Sequence, residues 1–262
     1  MFMVACLLPL ALGGCSDTGS SETEADAMVA TPADPDVTSD TLVDTGREQE
    51  PDPTPDTTGA PPRTVSPSFD CDDPGLGEVQ SRICADSALA RLDVRLDSVW
   101  STALERARGT AMPQMWVDEM VDYQRGWASG RDECWKAPEE REYAGMSDDE
   151  AVRRCTETAY RERIARLRAD WGLAEVTRGP VFWVCGDDPG NEFVTTSFAT
   201  DPEAVRVERG DQSEVFLRTR TASGARYEGF FGKSFWDRGG SAAFVWPEGE
   251  TRICVARSDG SG

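Results

Sequence analysis

The sequence predicts a multidomain α plus β protein: a disulfide-bonded helical domain followed by a small antiparallel β-barrel. Three observations carry this expectation. Apolar residues recur every three or four positions across residues 69–173, then give way to short β-rich runs from Pro180 onward. Six cysteines divide between those two regions, four in the first and two in the second. The stretch ahead of them is made of Thr, Ser, Pro, Asp and Glu with almost no large apolar side chains, so it can join neither core.

Residues 1–14 are short and apolar, and Leu12-Gly13-Gly14-Cys15 fits a bacterial lipoprotein box. The apolar run is too short to span a bilayer and reads as a lipoprotein signal peptide. Cys15 is then the expected lipidation site, and Ser16 after it favours the outer membrane. The expected localisation is the cell envelope, lipid-anchored, with the folded domains in the periplasm. Residues 15–68 are an acidic tether that cannot offset its ordering entropy by burial. As a flexible coil it would span on the order of 40 Å.

Residues 69–175 form the expected helical domain. Asp86 is placed to N-cap a helix carrying Leu89, Leu92, Leu96, Trp100, Ala103 and Ala107. Pro113 can start a second, with Trp116, Met120, Tyr123 and Trp127 on one face. Ser147-Asp148-Asp149-Glu150 is a capping box for a third, and Gly172 stands where a C-cap glycine belongs. These stripes read as core, tryptophans included.

Residues 176–262 hold seven expected strands: 181–185, 193–198, 204–208, 215–219, 226–230, 242–246 and 251–256. Gly, Pro and Asp clusters separate them, which suits a closed or nearly closed antiparallel barrel. Val205 and Val207, and Val215 and Leu217, alternate with their neighbours, so one face of each strand is expected in the core and the other in solvent.

Of the eight cysteines, Cys6 lies in the leader and Cys15 would be lipidated. The remaining six allow 15 pairings. Domain logic selects Cys71–Cys84, Cys134–Cys155 and Cys185–Cys254, in keeping with export to an oxidising compartment. There is no C-x-x-C, no histidine and no zinc-type spacing, so neither a metal nor another cofactor is expected.

Composition narrows function. The absence of histidine removes the commonest general base and the Ser-His and Cys-His nucleophile pairs. Acidic residues are plentiful but form no recognisable hydrolase constellation, so the chain reads as no enzyme. A formal charge of −21 argues against nucleic-acid binding. The charge is uneven: residues 16–68 carry net −10, residues 69–175 net −8 and residues 176–262 net −3.

Two resemblances name a partner. Ala222-Ser223-Gly224-Ala225-Arg226-Tyr227, then Phe235-Trp236-Asp237-Arg238-Gly239-Gly240, flanked by Cys185 and Cys254, resemble the membrane-bound inhibitors of c-type lysozyme (the MliC/PliC family). That family carries an S-G-x-x-Y loop and an F-W-x-K-G loop on a disulfide-closed barrel. The resemblance implies a c-type lysozyme as protein partner, blocked by two loops that plug its cleft. Ser223, Gly224, Tyr227 and Arg238 are the implied lysozyme-binding residues, Tyr227 bracing the serine loop and Arg238 replacing the family lysine. Arg226 and Lys233 are alternative cations, whereas Arg178 and Arg257 lie outside both loops. Phe69-Asp70-Cys71, Ile83-Cys84-Ala85-Asp86, Leu89, Leu92-Asp93, Gln124, Trp127, Arg131 and Cys134 resemble the LprI N-terminal family of secreted helical domains. The rival expectation is an envelope binding module for peptidoglycan fragments or another glycan hydrolase, without lysozyme inhibition.

Overall fold

In the computed structural model, residues 65–186, 191–246 and 250–257 are described. The signal peptide expected at 1–14, Cys15 and nearly all of the tether therefore lie outside the described residues. Four helices come first, then eight strands: α1 Glu78–Ala85, α2 Ser87–Arg108, α3 Pro113–Asp132 and α4 Asp148–Asp170. Short 3₁₀ turns at Glu133–Glu139 and Arg141–Tyr143 link α3 to α4.

The helix ends follow local chemistry. The Asp86 carboxylate accepts from the Ala88 and Leu89 amides at 2.7 and 3.3 Å, supplying partners that the first helical turn lacks. Ser147 Oγ accepts from the Glu150 amide. At the end of α4, Gly172 takes φ +60°. The Leu173 amide then reaches back to the Arg168 carbonyl at 2.7 Å and the Gly172 amide to Ala169 at 3.3 Å, the paired closure that a left-handed glycine permits. Leu89, Leu96, Ala103, Ala107, Met120, Val152, Ile164 and Leu167 share one core. Inside it, Asp93 is 5% exposed. It accepts from the Tyr160 hydroxyl at 2.7 Å, and Arg131 donates to that same hydroxyl at 2.9 Å. Arg131 also faces the Trp127 and Tyr160 rings and pairs with Asp132. A buried network satisfied on every side costs little and fixes the helices in one arrangement. Asp93, Trp127 and Arg131, which carry the helical resemblance, are thus structural.

The strands are β1 Val176–Cys185, β2 Glu192–Phe198, β3 Ala204–Arg209, β4 Gln212–Thr219, β5 Ala225–Glu228, β6 Ser234–Asp237, β7 Ser241–Val245 and β8 Thr251–Ala256. They form a closed antiparallel barrel in chain order. The sequence reading missed β6, a strand of only four residues. Inside, Phe193 stacks on Phe244 at 4.2 Å and Phe235 on Phe244 at 4.7 Å. The fully buried Trp183 donates its indole N–H to Thr195 Oγ1 at 2.8 Å. The β1–β8 seam has three residue pairs, the last being Cys185 opposite Cys254, and the disulfide lies there. The other bridges are Cys71–Cys84 and Cys134–Cys155. On the chain-entropy account, a closed loop of ~70 residues contributes about 4 kcal/mol.

One face of the barrel differs from the expected core-and-solvent division. In β4, Phe216 fills the interior while Val215 and Leu217 point outward, yet all three are buried. The cause is α4: Ala165 and Ala169 pack with Phe198, Ala204, Val215 and Leu217. Alanines four apart lie on one helix face and let the helix approach the sheet closely. Arg161 adds an ion pair to Asp201 at 2.7 Å.

Candidate functional site

Register brings the two sequence-predicted loops together. Ala225 of β5 lies opposite Asp237 of β6, and Arg226 opposite Trp236. The turn before β5, holding Ser223 and Gly224, and the turn after β6, holding Arg238, Gly239 and Gly240, are therefore neighbours at one end of the barrel. Gly224 has φ +68°, and a Cβ there would sit 2.5 Å from the Asp237 carbonyl oxygen. Only glycine lets the two turns come this close.

Trp236 ties the turns to each other. Its indole N–H donates to the Ser223 carbonyl at 3.0 Å, and the Arg238 guanidinium lies over its ring, 3.8 Å from the centroid. Phe235 and Trp236 are adjacent in a strand and so face opposite sides of the sheet. The structure splits the pair: Phe235 is 2% exposed, while Trp236 faces outward, half-buried. Ser223 and Arg238 are both exposed. Asp237, 9% exposed, accepts from the Gly239 amide at 2.8 Å and from the Arg178 guanidinium. So Arg178, expected to stand apart from the loops, holds the second turn through Asp237. Arg257 follows Ala256, whose amide donates to the Gly240 carbonyl of the second turn at 3.1 Å, but its own side chain pairs with Glu192.

Tyr227, implied to brace the serine loop, lies inside the barrel. It is 4% exposed, stacked on Phe235. Its hydroxyl donates to Glu203 at 2.8 Å and accepts from Arg218 at 3.4 Å. Burial, with the Glu203 carboxylate beside it, pushes that hydroxyl up to about 12. A buried, fully engaged phenol fixes β5 against the segment before β3. Tyr227, Glu203, Arg218, Arg178 and Asp237 line a polar hollow of about 210 Å³.

The alternative cations are engaged. Arg226 pairs with Glu228 at 3.2 Å, and Lys233 with Glu214 at 2.6 Å. Among the described residues, neither Arg238 nor the exposed Arg220 has a carboxylate partner. Arg220, at the start of the serine turn, was missed by sequence reasoning; its only signal is two residues' separation from Ala222. The end of the barrel thus presents an exposed hydroxyl, a glycine edge and free guanidiniums, although the whole chain carries −21. That surface suits hydrogen-bonded contact with carboxyl groups. Among the described residues, no group of three or more His, Cys, Asp or Glu side chains is placed to hold a metal.

Known proteins share both halves. The family described as membrane-bound lysozyme-inhibitor of c-type lysozyme matches residues 183–252, and the family described as lysozyme inhibitor LprI matches residues 71–167. Lipoprotein LprI from Mycobacterium bovis and from Mycobacterium tuberculosis is 30% identical over 199 residues, which cover 74% of this chain and 88% of the relative. With matches to both inhibitor families in the order of its helices and barrel, and a relative aligned across nearly its whole length, the chain belongs to the LprI family of lysozyme inhibitors.

Proposed function

We propose that this chain inhibits a c-type lysozyme by inserting the paired turns of its barrel into the enzyme's cleft. A c-type lysozyme works with one carboxyl kept protonated as general acid and a second kept ionised, both flanking the scissile bond. In this reading Ser223 hydrogen-bonds the first and Arg238 meets the second with parallel N–H bonds. Gly224 keeps the advancing edge narrow. Trp236, Asp237 and Arg178 hold the turns in place before contact, which reduces the ordering cost on binding. The carrying observation is Arg238, exposed, without a carboxylate partner among the described residues, and lying over Trp236 beside Ser223. The protein acts by binding and performs no catalysis.

Cys15 is the proposed lipid attachment site, with the acidic segment as a tether that holds the folded part off the membrane in the envelope. The lipoprotein name of the mycobacterial relatives supports anchoring. Ser16 favours the outer membrane. The helices buttress the barrel through Ala165 and Ala169.

The test is steady-state hydrolysis of a soluble chito-oligosaccharide by a c-type lysozyme at rising concentrations of this protein. Cleft insertion raises the apparent KM and leaves kcat unchanged. A fall in kcat at constant KM rejects insertion into the cleft, and no inhibition rejects the inhibitor reading in favour of an envelope binding module.

A further inference from the structure

A second concave site lies at the opposite end of β4 from the two turns. It is a cavity of about 430 Å³ between α3, α4 and the outside of β3 and β4. Glu214 at its edge is five residues from Thr219, about 17 Å along a strand. Its volume falls within the range of small-molecule sites.

The polar groups lining it have unused capacity. Arg163, Arg166 and Asp170 lie at i, i+3 and i+7 of α4, hence on one face. Arg163 is 6% exposed, and its one hydrogen bond runs from Nε to Gln124 Oε1 at 3.0 Å. Arg166 donates to the Val215 carbonyl and lies over the Phe230 ring, 4.2 Å from its centroid. Among the described residues, neither arginine has a carboxylate within ion-pair distance, and Asp170 accepts no hydrogen bond. Across the cavity, Arg206 Nε is buried without a hydrogen-bond partner. Burial pushes Arg163 down to about 10 and Asp170 up to about 6. Asp170 is exposed to the cavity and acts on both arginines as a counter-charge from beyond ion-pair distance. Arg163, buried with a single hydrogen bond, keeps N–H groups without an acceptor.

We propose that this cavity binds a pyranose that carries a carboxylate, the carboxylate lying between Arg163 and Arg166 and the sugar ring against Trp116 and Tyr123. Such a molecule complements both kinds of group. Its acid group satisfies the guanidiniums, and its hydroxyls donate to Asp170. A purely apolar acid would leave Asp170 unpaired, and a neutral sugar would leave the arginines so. Trp116 and Tyr123 are 36% and 46% exposed at the rim; Trp116 meets Trp171 edge-on, and Tyr123 packs against Phe230 and Arg163, so the sugar meets the parts of both rings that remain exposed.

The experiment is calorimetric titration of the full chain with N-acetylmuramic acid and with N-acetylglucosamine, which lacks the 3-O-lactyl group and with it the carboxylate. The acid binds saturably with a dissociation constant below about 1 mM, and the neutral sugar at least about tenfold more weakly. Arg163→Gln and Trp116→Ala each weaken the acid by about tenfold or more. Trp116 is at the surface, so its variant remains informative where Arg163→Gln unfolds. Absence of saturable binding, equal affinity for the two sugars, or parental affinity in Trp116→Ala overturns the proposal. Lysozyme inhibition by Trp116→Ala stays at the parental level in every case, so this site and the inhibitory turns are judged separately.

Discussion

Trp236 is the position where the two turns can be uncoupled. Trp236→Ala removes the ring under Arg238, worth roughly 0.5–2 kcal/mol, and the indole hydrogen bond to the Ser223 carbonyl, worth roughly 1 kcal/mol. Both contacts act by holding the turns ready, so their loss appears as weaker inhibition. About 2 kcal/mol corresponds to roughly a 30-fold rise in the inhibition constant. Trp236→Phe keeps a ring for Arg238 and loses only the N–H, so it should cost about fivefold. Combining Trp236→Ala with Arg238→Ala should cost less than the two separately, because both delete the same stack. The assay is the inhibition constant against one c-type lysozyme, with circular dichroism confirming that each variant is folded. A folded Trp236→Ala that inhibits like the parent, or strict additivity with Arg238→Ala, would refute the bracing argument.

Three further outcomes are expected. Arg178→Ala removes a half-exposed ion pair to Asp237 and should weaken inhibition by about two- to fivefold, whereas Arg257→Ala, which removes a side chain paired with Glu192, should leave the inhibition constant unchanged. Tyr227 is raised to about 12 and Tyr160 is raised too, both chiefly by burial; an unfolded tyrosine ionises near pH ~10, so their contribution is complete below that pH and lost as pH rises toward 12, and urea midpoints should fall across this window less steeply in Tyr227→Phe. Cys15→Ser should move the protein from the membrane fraction to the soluble fraction, and retention in the membrane would count against lipid anchoring.

How far the sequence could be read depended on the range of the interaction. Asp86, Ser147 and Gly172 act on backbone groups within a turn of themselves, and the caps they imply are present. α1 went unnamed because it is eight residues long and begins at Gly77, whose amide is satisfied instead by the Gln80 side chain. β6 was overlooked because four residues give too little alternation to register. The outward burial of Val215 and Leu217 depends on Ala165 and Ala169, roughly 50 positions earlier, and no local pattern records that pairing. Ser223 and Arg238 were legible because the two motifs are compact. Trp236, Asp237 and Arg178 were not, since their role arises only once β1, β5 and β6 come together. Arg163 and Arg166 drew no attention in the sequence, since the cavity they line exists only once α3, α4 and the barrel pack together.

The central claim is that the paired turns, and not the helices, meet the enzyme. Hydrogen–deuterium exchange of the full chain with and without a c-type lysozyme tests it directly. Protection should appear at residues 220–224 and 238–240, with α1 to α4 unchanged. Protection confined to the helices, with both turns exchanging as in the free protein, would contradict it.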